Sequence, residues 1–274
     1  MANHKSILER IRKPIAAAEQ FVVVIYARGG VGKTTLLGTI PGKGLVIDIP
    51  QYEGGDMVLA DKANRIDIAP AETWEELNDL YLALKKGPVS GKKYDWVGID
   101  TGTACQQLAR RKVLKERDEI ASKRYEIRLQ DYGSIGELMG QLFERFRTLP
   151  MPVYFTMQER LRRDDRELEG SEEGIIVPDV TPASLRTLIP HPILIGRLYM
   201  HQNDSGDWER YLRVGPHANF VTKARSVPGR SLPPVIRKPN LGRIVAWMRG
   251  EDVKRPRAAP DETLTVDLGE QESS

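Results

Sequence analysis

A lysine and two threonines, Lys33, Thr34 and Thr35, close the run ARGGVGKTT that begins at Ala27. Gly29, Gly30 and Gly32 let the backbone curl until successive N–H groups point inward and form a nest for an anion. A helix opening at Lys33 adds its N-terminal dipole to that nest. Lys33 is then placed to reach the β- and γ-phosphates of a nucleotide, and the Thr34 hydroxyl to coordinate Mg2+. This chemistry assigns Ala27, Arg28, Gly29, Gly30, Val31, Gly32, Lys33, Thr34 and Thr35 to ATP binding. The motif G-x-x-x-x-G-K-[ST] opens on glycine, whereas this chain has Ala27, the mildest of replacements. A chance glycine turn is the competing explanation.

A metal-bound triphosphate also needs a carboxylate and a group that positions water. Asp100 ends the apolar stretch WVGID, where a carboxylate holds Mg2+ through water. Its alternative role is to cap the following helix. Two carboxylates compete to activate water, Asp48 in VIDI and Glu53 in QYEGG. Gln158 closes VYFTMQ, a position suited to sensing the γ-phosphate or, equally, to facing solvent.

These groups must be carried by strands that end near one another. FVVVIYA is apolar and β-branched throughout, as in a parallel strand covered on both faces. GLVIDI and YDWVGIDTG read the same way, and MPVYFTMQER gives a further strand and its exit. KTTLLGTI is predicted as a helix ended by Pro41-Gly42, and AETWEELNDLYLALKKG as a helix with Trp74, Leu77, Leu80, Tyr81 and Leu84 along one side. Gln106 to Gln130 is charged and helical in pattern. Ile135, Leu138, Met139, Leu142, Phe143, Phe146 and Leu149 form a helical stripe of core type. Strands alternating with helices predict an α/β fold, a mostly parallel sheet with helices on both faces. Short β patterns between about Ile193 and Ile236 predict antiparallel strands added at one edge.

Composition sets the frame around this core. The 274 residues suffice for a large core, with 40% hydrophobic and 29% charged residues, as in ordinary globular chains. Residues 1–20 are expected as a helical lead-in, 21–250 as the ATPase core and 251–274 as an acidic, disordered tail. The net charge of +3 includes that tail, so the body is more basic than the whole. No apolar run is long enough to cross a bilayer, so no membrane role is expected. One cysteine, Cys105, rules out an internal disulfide and suits a cytoplasmic location. His4, His191, His201 and His217 lack metal-ligand spacing, and no G-x-S-x-G elbow occurs.

YDWVGIDTGTA, YGSIGELMGQLFERFRTLPMPVYFTMQER and VTKARSVPGR, in that order, resemble the phage-encoded RecA-like ATPases, a group that includes single-strand annealing recombinases. The resemblance spans roughly Val22 to Ile244 and rests on order and spacing beyond the phosphate-binding loop. It implies a RecA-like P-loop NTPase fold and a DNA-stimulated ATPase in a bacterial host cytoplasm. It favours Glu53 over Asp48 as the catalytic carboxylate. A similar late Lys-x-Arg occurs in RecA-like hexameric helicases and circadian-clock KaiC proteins. By that likeness Lys223 and Arg225 serve a neighbouring subunit's ATP, which implies a ring or filament; an exposed basic turn is the alternative.

Single-stranded DNA is the partner this resemblance implies, with a phage or host single-strand-binding or replication protein as a further one. The loop after Gln158 carries Arg160, Arg162, Arg163 and Arg166, whose guanidinium groups would track phosphates. Asp164, Asp165 and Glu167 interleave with them, a mixture that also describes a solvated loop. A second basic stretch contains Arg110, Arg111, Lys112, Lys115, Arg117, Lys123 and Arg124, with a salt-bridged surface helix as its plainer explanation. Two other functions remain open. ParA/MinD-type partition ATPases carry KGGxGKTT, with lysine where this chain has Arg28, and VIDIPQ faintly resembles their D-x-D-P-Q switch. A nucleotide-gated replication scaffold or loader with little hydrolysis is the other.

Overall fold

The computed structural model describes residues 20–49, 56–118, 128–162, 174–203 and 205–260. Strand β1 (Val22–Ala27) is buried at every position, which its unbroken apolar sequence requires. It lies between β7 (Leu194–Gln202) and β5 (Val153–Arg162), parallel to both. Beyond β5 come β4 (Trp96–Asp100), β2 (Gly44–Asp48) and β3 (Ile66–Pro70), all parallel. On the other side, β8 (Trp208–Arg213) is antiparallel to β7, and β10 (Val235–Arg237) is antiparallel to β8. The sheet order is β10-β8-β7-β1-β5-β4-β2-β3. Two short strands branch from this path, β6 (Ile175–Pro178) from β5 and β9 (Lys223–Ala224) from β7.

Side-chain alternation along each strand divides the core into two layers. Val22, Val24 and Tyr26 face one layer, with Phe155, Trp74, Leu108, Met139 and Leu185. That layer belongs to α3 (Trp74–Lys86), α4 (Gly102–Asp118), α5 (Leu129–Arg147) and α6 (Pro182–Leu188). Val23, Ile25 and Ala27 face the other, with Leu36, Leu59 and Ile244 from α1 (Lys33–Leu37), α2 (Asp56–Leu59) and α7 (Leu241–Met248). Each fully buried Leu, Val or Phe contributes about 1.5–3 kcal/mol, so packing on both faces of the central strands supplies most of the stabilisation of the sheet. Helix starts follow local chemistry: Thr73 and Glu76 form a capping box for α3, and Thr181 and Asn240 cap α6 and α7.

The architecture is therefore mixed α/β, a mostly parallel sheet flanked by helices with an antiparallel edge. Three boundaries differ from expectation. β7 belongs to the parallel body rather than to the antiparallel edge, because its first six residues are buried on both faces beside β1. β5 does not end at Gln158; it runs on to Arg162 and pairs with β6 as a hairpin. Residues 251–260, grouped by composition with the tail, bond to β10 through Arg237 N–H to the Arg257 carbonyl (3.0 Å) and Ala259 N–H to the Val235 carbonyl (3.0 Å). Residues 1–19, most of the expected lead-in, and 261–274 lie outside the described residues. No described helix is long and apolar enough to cross a membrane.

Candidate nucleotide site

β1 and β4 are not neighbours; β5 runs between them, and Gln158 stands beside Ala27 in register. The loop leaving β1 therefore opens with Gln158 on one flank and Asp100 one strand beyond. Gly30 (φ 75°) and Gly32 (φ 101°) take left-handed conformations that L side chains rarely adopt. A methyl group built on Gly29 or Gly30 meets nothing within 4 Å, so the mouth of the loop is open where a phosphate has to enter.

Lys33 is 4% exposed, with its ammonium turned back into the loop. Its Nζ donates to the Arg28 carbonyl (3.1 Å), to Gln158 Oε1 (3.1 Å) and, at 3.4 Å, to the Ala27 carbonyl. Thr34, the next residue, donates its hydroxyl to Asp100 Oδ2 at 2.6 Å. Asp100 is fully buried, and its other oxygen accepts from the Thr156 hydroxyl on β5. Thr101 Oγ1 donates to the Thr156 carbonyl (3.0 Å), and Gln158 N–H to Thr103 Oγ1 (3.0 Å). The start of α4 is thus tied to β5 at two points, which sets Asp100 and Gln158 relative to each other.

These donors fit a nucleotide's phosphates and a divalent cation. The loop supplies N–H groups and a lysine to the anion. Thr34 and Asp100 bring a hydroxyl and a carboxylate oxygen together, the hard oxygen donors Mg2+ prefers. Asp48 is buried at the end of β2, opposite Asp100 in register, and its carbonyl accepts from Ala71 N–H (2.8 Å). Glu53 lies outside the described residues.

Three neighbours of the loop were not singled out from sequence. Thr156 anchors Asp100, as above. Glu159, next to Gln158, is buried with Arg197 and accepts from its Nε (2.8 Å) and Nη2 (3.1 Å), while Arg28 Nε approaches its Oε1 at 3.2 Å. Arg28 thereby spans the loop to a carboxylate of its own chain. Arg210 on β8 donates from Nε to the Val31 carbonyl at 2.8 Å. Glu159 sits in the strand exit QER, but nothing local marks Arg210, which reaches the loop through sheet topology.

The late basic pair sits elsewhere. Lys223 pairs with Ile195, beside the first half of β1, whereas the loop leaves the other end of that strand. Its Nζ donates to the carbonyls of Ile189 (2.7 Å) and Pro190 (2.9 Å) after α6, and burial followed by the Arg225 charge lowers its pKa. Arg225 is exposed, and a cleft of about 390 Å³ opens against Lys223 and Ser226. Within one chain neither residue is near the phosphate loop.

Of the arginines expected at DNA, Arg160 donates to the Val180 carbonyl (2.8 Å) and lies 3.6 Å from Asp179. Arg162 ends β5, and Arg163 and Arg166 fall outside the described residues. On α4, Lys112 is held between Glu75 (2.6 Å) and Glu116 (2.9 Å), as in a salt-bridged surface helix. Among the described residues no cluster of His, Cys, Asp and Glu is arranged to hold a metal by itself.

Comparison with curated proteins returns no match. A family model described as an AAA domain matches residues 19–226, which include the phosphate loop, Asp100, Gln158 and Arg210. That match covers most of the chain, and the chain belongs to this family of P-loop, ATPase-type nucleotide-binding domains.

Proposed function

We propose that this chain hydrolyses Mg-ATP and couples hydrolysis to single-stranded DNA, as a ring or filament that promotes annealing in phage recombination. The observation that carries the enzymatic part is the meeting of Lys33 with Gln158 and of Thr34 with Asp100 where the central parallel strands β1, β5 and β4 end. Bound Mg2+ supplies neutralisation of charge on the β- and γ-phosphates. The Lys33 ammonium exchanges Gln158 and two backbone carbonyls for phosphate oxygens. Gln158, released from Lys33, orients the attacking water through its carboxamide, as polar residues do in related sites. Asp100 stays in place through Thr156 and keeps its Thr34-facing oxygen available.

Lys223 and Arg225 complete the site from a neighbouring subunit in this reading, stabilising charge that develops on the γ-phosphate. Support comes from their distance from their own loop and from the exposure of Arg225. The basic body and the Arg160–Arg166 segment supply the backbone contacts for DNA, so binding weakens steeply with salt. Arg28 bonds within its own chain, which favours this reading over a partition-type loop reaching into a partner.

An ATPase assay with and without single-stranded DNA, paired with electron microscopy of the same mixtures, tests the proposal. Stimulated turnover with rings or filaments supports it. ATP-sandwich dimers with unstimulated turnover point to the partition reading, and ATP binding without turnover or annealing points to a scaffold or loader.

A further inference from the structure

The groups expected at the reactive end of the triphosphate, Asp100, Thr34 and Gln158, all lie on the β5–β4 side of the loop. The remainder of a nucleotide must leave on the opposite side. There the β7–β8 hairpin stands as a wing. Arg197 is level with Tyr26 near the end of β1, yet β7 continues to Gln202, roughly 16 Å further at about 3.3 Å per residue.

Two residues of this wing face the nucleotide side. Along β8, Trp208, Arg210 and Leu212 share one face by alternation. Leu212 packs in the layer of Leu36 and Leu37, so this is the face from which α1 rises. Arg210 lies against the loop: a Cβ on Gly32 would sit 2.6 Å from its Nε and 2.9 Å from its Cζ and Nη2. Glycine at 32 is called for by its left-handed backbone, and its missing side chain leaves the space this guanidinium occupies. Nε is engaged by the Val31 carbonyl, and among the described residues the Nη groups meet no acceptor. The Lys238 N–H bond to the Arg210 carbonyl (2.9 Å) and the Arg237–Glu209 pair beside it hold the strand from behind.

Trp208 lies two residues, or about 7 Å, further out along the same face. It is 64% exposed, and among the described residues its indole has no ring or hydrogen-bond partner. A cation on the loop followed by an open indole further out matches the order of charges and rings in a nucleotide, with phosphates first and the base beyond.

Building on the Mg-ATP reading above, we infer that the β7–β8 hairpin is the nucleoside-recognition element of this site. Arg210 braces the Val31 carbonyl outward and donates from Nη to the phosphates nearer the sugar, while Trp208 stacks on the base. Stacking is tolerant of base identity, so the wing distinguishes nucleoside triphosphates from bare polyphosphate more than it distinguishes one purine from another.

Calorimetric titrations of the full chain with ATP and with inorganic tripolyphosphate, each with Mg2+, test this. Wild type should bind ATP more tightly than tripolyphosphate. Trp208→Ala, a change at an exposed position, should weaken ATP about tenfold and leave tripolyphosphate unchanged, as expected for a lost stacking contact. Arg210→Ala should weaken both ligands severalfold. ATP affinity unchanged in Trp208→Ala, with wild-type binding intact, overturns the wing alone. A wild type that binds neither ligand overturns the nucleotide reading, and the wing with it.

Discussion

Thr34 and Asp100 stand 66 residues apart in the chain and share a 2.6 Å hydrogen bond at the mouth of the phosphate loop. The contact exists because β5 inserts between β1 and β4 and supplies Thr156 to hold the far oxygen of the same carboxylate. Asp100→Asn keeps the shape but removes the charge. It is expected to reduce Mg-dependent ATP turnover by about 100-fold or more, the scale of a lost electrostatic group at a transition state. Turnover measured across a Mg2+ titration checks this, and an unchanged Mg2+ dependence would remove Asp100 from the metal site.

Gln158 accepts from Lys33 at 3.1 Å while its own N–H is fixed on Thr103. Gln158→Ala should leave ATP affinity within about threefold and lower turnover by roughly 100-fold or more, the scale of a lost side chain that handles the attacking water. Single-turnover kinetics separate the two effects. Equal loss of binding and turnover would make Gln158 a ground-state contact only.

Glu159 and Arg197 form a buried bidentate pair, and Arg28 joins it from the exposed side. Glu159→Ala leaves the Arg197 charge buried without its carboxylate and should cost about 3–5 kcal/mol of stability. Arg28→Ala, at a side chain 69% exposed, should cost under about 1 kcal/mol. Urea denaturation of the two variants gives the comparison, and similar losses would show that the pair is not organised around Arg197.

Glu209 accepts from Arg237, Lys238 and Asn203, and these bonds, Arg237 first, hold its carboxyl well below the usual carboxylate range. A depressed folded-state pKa adds stability that is complete above the unfolded value, about 4.3 for glutamate. As pH falls below that value, the unfolded chain takes up the proton while the folded chain does not, and the advantage shrinks. Wild type should therefore exceed Glu209→Gln in stability near neutrality, with the gap closing below about pH 5. Thermal melts between neutral and acid pH measure it, and a gap constant with pH would contradict the assignment.

Lys223 bonds the two carbonyls after α6 and lies far from its own phosphate loop. If it serves a neighbour, Lys223→Ala and Lys33→Ala should each be inactive alone and regain turnover when mixed, since a mixed interface pairs an intact loop with an intact lysine. Arg28→Ala should retain turnover throughout. Wild-type activity of Lys223→Ala would end the cross-subunit role.

The loop, α1 and Asp100 were legible because each is a short pattern with a short-range cause: glycines where the backbone turns left-handed, a lysine at a helix start, and a carboxylate closing a fully apolar strand. The place of β7 was not, because a strand buried on both faces has the same apolar sequence wherever it pairs. Gln158 closes the apolar part of its strand in sequence, but β5 runs on past it; the mixed charges of Glu159 to Arg162 disguise a hairpin that β6 completes. Arg210 was beyond reach, since WERYLR reads as an ordinary edge strand and its bond to Val31 spans 179 residues. Glu159 was visible as a residue but not as a site, because its partners come from the loop and from β7.

The most direct test of the account is calorimetric titration of ATP into wild type and Lys33→Ala, each with Mg2+ and with chelator. Lys33 is enclosed by the loop it serves, its Nζ bonded to Arg28 and Gln158. Wild type is expected to bind one ATP per chain in a Mg2+-dependent manner, and Lys33→Ala to lose at least about tenfold in affinity, the scale of a charge-assisted contact. Equal, Mg2+-independent affinity in both proteins would contradict a phosphate site built on Lys33.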